Sequence, residues 1–210
     1  MRKLSADMLD LNNANLIGKG SSRLCYEHPY DRNKCVKVTY IDIPDILTKE
    51  MWHYRRLEHR KTSWNQLARL YGLVETTMGT GAVFGLARDF DGTISATFDS
   101  YLVDQDKTPP AKQLSALLQD FRGYMLRECV VVRELKADNL VYQRLSPDNG
   151  RLVLIDGIGN NQFLPFANYI DVFARQLIRR KWRKFERHLI EIFPDNRGLQ
   201  KTLKLFYANK

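Results

Sequence analysis

A lysine and a glutamate on two apolar elements are the first residues that could do chemistry. Lys37 stands between two valines in a β-rich run, and Glu50 lies on the apolar side of the helical stretch 45–60. Both charges are therefore expected to point inward, where each can supply the other's partner, because a buried charge is costly unless it is paired. Lys37 would then be placed to contact an anion. In the alternative, Lys37 extends to solvent and Glu50 lies at the helix edge.

A glycine pair lies between two predicted strands, in the order Gly18-Lys19-Gly20. A glycine-rich turn between strands lets backbone N–H groups approach phosphate oxygens without an intervening side chain. An ordinary hairpin turn explains the same residues, so the pair alone leaves both interpretations open.

Two further segments place polar groups beside apolar runs. Residues 132–140 (VRELKADNL) form a polar loop between two apolar segments, which is a common place for catalytic groups. Asp156-Gly157 follows the apolar run 152–155, and a carboxylate at a strand end suits Mg²⁺ as an oxygen ligand. A β-turn aspartate is the alternative for Asp156.

The elements that must position these residues follow from hydrophobic periodicity and turn signals. The predicted elements are short strands within 16–40, a helix at 45–60, strands at 70–75 and 82–86, a polar link at 87–95, a long helix after Pro109-Pro110, a hairpin of strands 140–143 and 152–155, and a mostly helical remainder at 165–208. The predicted class is α+β, with a strand-rich first part and a mainly helical second part.

Composition narrows the class of protein. The chain has 210 residues, 44% hydrophobic and 27% charged, which indicates a globular protein and excludes disordered, collagen-like and coiled-coil classes. No apolar run approaches the ~18–20 residues of a transmembrane helix, and the N-terminus has no apolar signal region. Three scattered cysteines without a CxxC spacing indicate a reducing compartment, so a cytoplasmic location is expected.

Positive charge is concentrated in residues 171–187. This stretch holds seven basic and two acidic residues, and so contributes +5 to the net charge of +9. A focused basic surface attracts phosphates, nucleic acid or anionic lipid, although a solvated helix face is the plain alternative. Four large apolar residues of the stretch are expected to pack onto the core instead: Phe173, Leu177, Trp182 and Phe185.

Taken together, these features resemble the protein-kinase signature, with a glycine-rich loop, strand lysine, helix glutamate, catalytic loop ending in Asn and strand-terminal Asp-Gly in the same chain order. In more detail, roughly residues 14–190 resemble the YrbL family, bacterial kinase-like proteins named for the PhoP regulatory network. The resembling pieces are LIGKGSSRLCYEHPYDRNKCVKVTY, KEMWHYRRLEHR, GTGAVFGLARDFDGTIS, LKADNLVYQ and VLIDGIGN. The resemblance implies a bilobal kinase-like fold with an N-lobe at 1–90 and a truncated, mainly helical C-lobe at 91–210.

The resemblance also implies roles for residues of the first part. Gly18, Gly20 and Ser21 would line the nucleotide phosphates. Lys37 would contact the α- and β-phosphates and pair with Glu50. The cofactors implied are ATP and Mg²⁺.

In the second part, Asn139 and Asp156 would hold the metal, and Lys136 would approach the transferring phosphoryl group. The link 87–92 would face the adenine through its backbone. The resemblance thus implies an ATP- and Mg²⁺-dependent phosphotransferase, set in bacterial stress or envelope regulation.

Departures from the kinase pattern affect the predicted chemistry. Arg23 replaces the third glycine of the loop, and the catalytic His and Asp become Val132 and Glu134. A glutamate can accept a proton, but its extra methylene displaces the carboxylate, and errors near 1 Å can cost ~100-fold in rate. Glu134 is therefore a base, a displaced base or no base. Only 54 residues follow Asp156, too few for a full activation segment and large helical lobe, which disfavours a conventional peptide platform.

Three functions are open at this point. The first is phosphotransfer to an acceptor that is anionic or a protein, and the second is a pseudokinase that regulates by binding nucleotide or partners. The third is nucleic-acid or membrane-surface binding through residues 171–187, where Trp182 and Phe185 could stack or insert; we expect this as an accessory property at most, and nucleic acid is disfavoured.

Overall fold

The computed structural model describes residues 8–40, 44–160 and 166–208. The chain divides into two compact units, and the boundary is crossed three times. One unit comprises Met1–Tyr54 with Ala68–Ala87, and the other comprises Arg55–Leu67 with Arg88–Lys210. Residues 55–67 therefore group with the later part of the chain.

A five-stranded antiparallel sheet forms most of the first unit. Its strands are β1 (Leu16–Lys19), β2 (Arg23–Glu27), β3 (Lys34–Thr39), β4 (Leu70–Thr76) and β5 (Gly79–Gly85). They lie side by side in the order β1-β2-β3-β5-β4. Runs of β-branched and aromatic residues separated by turn residues predict these strands, and all five are confirmed.

The two faces of this sheet differ in chemistry because successive side chains alternate across a strand. The pairs Leu24–Val38 and Tyr26–Val36 lie on one face. That face packs in a buried apolar cluster whose members are Leu9, Leu11, Tyr26, Val36 and Val38. The pair Cys25–Lys37 lies on the other face, so the only lysine in the middle of β3 stands opposite the apolar cluster.

Helix α1 (Pro44–His59) contacts the face that carries Lys37. Tyr54 of α1 is buried and makes an edge-to-face contact with the Phe84 ring, with 5.6 Å between centroids. Phe84 pairs with Cys35 across β3 and β5, which puts it on the same side of the sheet as Lys37. The predicted helix at 45–60 is confirmed, and its Tyr54 is one of the residues of the predicted apolar stripe.

Helices and one hairpin form the second unit. The helices are α2 (Phe98–Val103), α3 (Ala111–Glu128), α4 (Phe166–Tyr169), α5 (Asp171–Ile192) and α6 (Arg197–Ala208), and the hairpin strands are β6 (Leu140–Ser146) and β7 (Asn149–Leu154). The predicted helix after the two prolines, the hairpin and the helical remainder are confirmed. The short helix α2 was not predicted, since six residues carry too little periodicity.

Aromatic packing between α3 and α5 forms the centre of this unit. Trp182 and Phe185 are each 1% exposed, and their rings lie 5.5 Å apart, with Phe121 6.2 Å from Trp182. The hydroxyl of Tyr124 donates a 2.5 Å hydrogen bond to the Ser63 carbonyl, which ties residues 55–67 to α3.

The mixed α+β class is confirmed by this combination of an antiparallel sheet and several helices. None of the helices in the described part of the chain is long and apolar enough to cross a membrane.

Candidate functional site

Lys37 is buried in the middle of β3, on the face that α1 covers. Its residue is 8% exposed, and its ammonium lies 4.8 Å from the centroid of the Phe84 ring. A cation over an aromatic face gains about 0.5–2 kcal/mol, more when it is desolvated. Glu50 is 3% exposed, so both charges point inward as their apolar neighbours predict.

The ion-pair partner of Glu50 is Arg23, whereas the sequence predicts Lys37. Arg23 Nη1 donates to Glu50 Oε2 at 2.5 Å, and the two side chains are 9% and 2% exposed. The other carboxylate oxygen, Oε1, is buried and has no hydrogen-bond partner among the described residues. A buried acceptor without a donor is costly, which makes Glu50 a place where a further donor would be stabilising.

The register of β2 and β3 explains this pairing. Arg23 pairs with Thr39 and Cys25 pairs with Lys37, so Arg23 and Lys37 are diagonal neighbours on one face. The planar guanidinium suits a carboxylate better than a lysine ammonium does. Two cations thus share the face that meets Glu50. Arg23 is a site residue that sequence reasoning treated only as a missing glycine, although strand alternation from Cys25 could have identified it.

A pair of thiols adjoins Lys37 on the same face. A hydrogen bond with the Cys25 thiol and burial both raise the pKa of the Cys35 thiol, while the Lys37 ammonium acts in the opposite direction. Because a thiol must lose its proton to act as a nucleophile, Cys35 is kept in its unreactive form near neutral pH.

The glycine-rich turn joins β1 to β2 and is exposed at Gly18, Gly20 and Ser21. The turn is held by Gly20 N donating to the Arg23 carbonyl at 2.8 Å and by the Tyr40 hydroxyl donating to the Gly20 carbonyl at 2.8 Å. A Cβ added at Gly18 or Gly20 would meet its nearest neighbour at 3.7 or 3.5 Å, which is ordinary contact. The fold itself therefore tolerates alanine at both positions, and the absence of a side chain needs another reason.

Asn139 and Asp156 are brought together at the open end of the β6–β7 hairpin. Leu140 pairs with Leu154, so the residues just before β6 and just after β7 lie at the same end. Ile155 N donates to the Asn139 carbonyl at 2.9 Å and fixes this arrangement. Asp156 Oδ1 accepts a 2.6 Å hydrogen bond from Gly157 N. The backbone thus brings Asn139 and Asp156 to the same end of the hairpin.

Gly157 lets the polar loop pass close to Asp156. Its φ of +86° favours glycine, and an added Cβ would lie 3.0 Å from the Glu134 carbonyl oxygen and 3.1 Å from Asn139 Nδ2. Arg133 N also donates to the Gly157 carbonyl at 2.8 Å. The loop at 132–140 is therefore packed directly against the Asp-Gly turn.

Glu134 and Lys136 form an ion pair on the surface of that loop. Lys136 Nζ lies 3.1 Å from Glu134 Oε2, and the side chains are 40% and 51% exposed. The hydrogen bond and the charge of Glu134 raise the pKa of Lys136, which keeps its ammonium protonated. Glu134 therefore has a cationic neighbour, and its predicted role as a base stays a prediction.

The link at 88–95 contains a charge network that sequence reasoning missed. Asp89 is buried; it accepts 2.5 Å from Arg144 Nε and 2.6 Å from the Ser95 hydroxyl. Phe90 N donates to the Arg144 carbonyl at 2.9 Å. These bonds fasten the link to β6. The only sign of this network in the sequence was an aspartate in a segment of turn residues. Such an aspartate does not by itself indicate which residue it binds.

The first unit thus carries Gly18, Gly20, Ser21, Lys37 and Glu50, and the second carries Glu134, Lys136, Asn139 and Asp156. Comparison with known proteins covers both groups. The family described as PhoP regulatory network protein YrbL matches residues 9–190.

The chain belongs to the YrbL family. Among its relatives, the Uncharacterized protein YrbL of Escherichia coli (strain K12) is 30% identical over 181 residues, which are 85% of this chain and 86% of the relative. A protein of the same description from Shigella flexneri gives the same figures. The YrbL family match ends near the C-terminus of α5, so α6 lies beyond it.

Within the YrbL family match, α5 contacts the polar loop. Lys181 Nζ donates a hydrogen bond to the Arg133 carbonyl. Burial and the neighbouring Arg180 and Lys184 lower the pKa of Lys181, and Glu134 acts in the opposite direction. Helix α5 thus places the Lys181 ammonium against the loop that carries Glu134 and Lys136.

Proposed function

We propose that the protein binds a nucleoside triphosphate with Mg²⁺ and transfers its terminal phosphoryl group, as a kinase-like phosphotransferase. The observation that carries the proposal is that the β6–β7 register brings Asn139 and Asp156 to the same end of the hairpin, with Gly157 packed against the polar loop. A bilobal kinase-like arrangement, an ATP cofactor and a cytoplasmic location belong to this proposal.

The donor set at the hairpin end fits Mg²⁺. This ion prefers oxygen ligands and is commonly held by one or two protein groups together with water and substrate phosphates. Asp156 offers a carboxylate oxygen, and Asn139 at the same hairpin end would offer an amide oxygen. A bound Mg²⁺ would neutralise charge on the phosphates.

The first unit supplies groups that suit the phosphates themselves. Backbone N–H groups around Gly18 and Gly20 can approach phosphate oxygens, and nothing in the local packing requires glycine at either position. Lys37 would contribute a positive charge in a poorly hydrated position, where electrostatic stabilisation is strongest. Lys136 would add charge near the transferring group.

Transfer of label from γ-labelled ATP tests the activity. The purified protein with Mg²⁺ is expected to label itself or a component of a cell extract. Lys37→Ala and Asp156→Ala are expected to lower labelling by at least about a hundredfold while remaining folded. Lys34→Ala and Asp148→Ala remove matched charges on the same strand and at the far end of the same hairpin, and should retain labelling.

A pseudokinase is the second candidate, and a specific observation favours it. Glu134 stands where a kinase has its catalytic aspartate, and its carboxylate is engaged by Lys136 at 3.1 Å. A carboxylate oxygen that is engaged by an ammonium is not free to orient a substrate hydroxyl. Such a protein would use nucleotide binding as a regulatory signal, in keeping with the PhoP regulatory network named for the family.

Thermal unfolding with nucleotide separates the two candidates. Binding to the folded state raises its stability by RT ln(1 + [L]/Kd). A rise in the unfolding midpoint with Mg-ATP together with labelling supports phosphotransfer. A rise without labelling supports the pseudokinase, and no rise with ATP and either Mg²⁺ or Mn²⁺ contradicts both.

A further inference from the structure

Helix α5 presents a continuous basic face to solvent. The exposed basic residues on it are Arg179, Arg180, Arg183, Lys184 and Arg187. Arg179, Arg183 and Arg187 follow one another at intervals of four residues, as do Arg180 and Lys184, so the five residues share one broad side of the helix. Lys181 lies at the flank of this face, where its ammonium contacts the polar loop. The outward face itself is made by the five exposed basic residues, none of which is among the candidate phosphoryl-transfer residues.

Acidic side chains of α5 are withdrawn from the middle of this face, and the exposed Glu191 lies at its C-terminal end. Glu186 is 1% exposed and accepts a 2.7 Å hydrogen bond from Trp182 Nε1. Asp171 at the N-terminal end is paired with Arg60 at 2.8 Å. The positive charges on the outward face thus act together, and an anionic surface is their natural complement.

A cluster of exposed apolar side chains adjoins the N-terminal end of this face. The members are Phe166, Tyr169, Ile170, Val172 and Phe173, whose exposed fractions run from 45% to 68%. The rings of Phe166 and Phe173 lie 5.8 Å apart, so α4 and the first turn of α5 both contribute to this cluster. The sequence prediction that Phe173 packs onto the core is wrong, because α5 turns this residue outward at the end where α4 joins it.

Helical geometry aligns the cluster with the charges. Val172 precedes Arg179 by seven residues and Arg183 by eleven, so all three lie within a narrow arc of the helix surface. Ile190, which is 36% exposed, continues the same line at the other end. An apolar group, a basic stretch and a second apolar position thus lie along one side of α5.

We propose that this side of α4 and α5 is a docking surface for an anionic lipid bilayer. Apolar side chains inserted at the acyl boundary together with Lys and Arg at the headgroups are the features of interfacial helices. A nucleic acid would instead use aromatic rings between the basic residues for stacking. Trp182 and Phe185 are buried, and the exposed rings of Phe166, Tyr169 and Phe173 lie at one end of the basic stretch together with aliphatic side chains. The apolar side chains of Ile170 and Val172 make no favourable contact with a phosphate backbone, whereas they can insert at the acyl boundary of a bilayer. Binding of this surface to a bilayer does not depend on the proposed nucleotide chemistry.

Vesicle co-sedimentation with the full chain tests the docking surface. The protein is expected to sediment with vesicles that contain phosphatidylglycerol, to bind phosphatidylcholine vesicles far less, and to be released by high salt. Arg183→Gln with Lys184→Gln should weaken binding about thirtyfold, since each basic residue near an anionic surface contributes about fivefold. Val172→Asn with Phe173→Asn should weaken it independently of salt.

The matched control is Lys201→Gln with Lys204→Gln, which removes two exposed charges from α6 and should leave binding unchanged. Equal binding to both vesicle types, equal weakening by the α6 control, or no binding to either vesicle overturns the proposal. So does a protein that ignores vesicles but binds DNA, RNA or an acidic polypeptide in a way that the α5 variants abolish.

Discussion

Arg23 and Glu50 form a buried ion pair that ties β2 to α1. The bond is 2.5 Å long and Glu50 retains a second buried oxygen without a hydrogen-bond partner among the residues that the structure describes. In a kinase-like mechanism the helix glutamate holds the strand lysine. In this protein the partner of Glu50 is Arg23, which follows the glycine-rich turn, so the turn and α1 are linked directly.

Arg23→Met is expected to lower the free energy of unfolding by about 3–5 kcal/mol, because it leaves the Glu50 charge buried and unpaired. Arg23→Met combined with Glu50→Leu should recover most of the loss, since both charges are then absent. Urea denaturation measures both. Arg127→Met is the matched control, because Arg127 is 65% exposed and its pair with Glu128 spans 3.7 Å. A loss no larger than that of the control would show that the pair is dispensable.

Gly18→Ala and Gly20→Ala distinguish a glycine that is required for stability from one that is required for nucleotide binding. Because the added Cβ makes only ordinary contacts, the free energy of unfolding should stay constant or rise by about 0.4–1 kcal/mol. Affinity for Mg-ATP should fall, since a methyl group would stand between the backbone and the phosphates. Chemical denaturation and calorimetric titration measure the two quantities.

The control for the glycine variants is Gly81→Ala. Its Cβ would lie 2.7 Å from Val36 Cγ1, so it should destabilise the sheet by about 1–3 kcal/mol. Unchanged nucleotide affinity in both Gly18→Ala and Gly20→Ala would count against a phosphate-binding turn.

Gly157→Ala tests the packing between the polar loop and the Asp-Gly turn. The substitution meets both a positive φ and contacts near 3 Å to the Glu134 carbonyl and Asn139. Gly79→Ala meets a positive φ alone, with nothing within 4 Å. Gly157→Ala should therefore cost more unfolding free energy than Gly79→Ala, by about 1–3 kcal/mol. If urea denaturation gives the same loss of unfolding free energy for both variants, the polar loop moves away from the added methyl group without a measurable loss of stability.

The ion pair of Asp171 and Arg60 predicts a pH dependence of stability. The hydrogen bond and charge of Arg60 lower the pKa of Asp171 below its ordinary value of 3.8. A lowered carboxyl pKa stabilises the folded state above pH 3.8 and loses that contribution as pH falls through the lowered value. Arg60→Gln should thus lower the unfolding midpoint at pH 6 and lose its effect at the acid end of the titration. A difference that persists unchanged at acid pH would point to another cause.

Much of the local structure follows from the sequence alone. Runs of β-branched and aromatic residues with turn residues between them predict β2 and β3, and the helical spacing of apolar residues in 45–60, among them Tyr54 and Leu57, predicts α1. The partner of Glu50 could not be predicted this way, because it depends on the register that sets Arg23 beside Lys37. Register is a property of two strands, and neither strand's own pattern contains it.

The exposure of residues near the ends of helices is the second property that the sequence did not predict correctly. Leu177, Trp182 and Phe185 are buried as their spacing predicts, but Phe173 is exposed. Its position on the helical wheel lies with Arg180 and Lys184, which the structure also turns outward. The position of Phe173 around the helix therefore indicates that it is exposed, whereas its hydrophobicity alone indicates that it is buried.

The decisive experiment is calorimetric titration of ATP, with and without Mg²⁺, into the wild-type protein and into Asp156→Asn and Asn139→Ala. We expect the wild type to bind ATP tightly and in a way that depends on Mg²⁺. Both variants are expected to lose that dependence, with unchanged unfolding midpoints in the absence of nucleotide. Wild-type protein that gives no binding heat, or variants that retain the full effect of Mg²⁺, would contradict a metal-nucleotide site at the end of the β6–β7 hairpin.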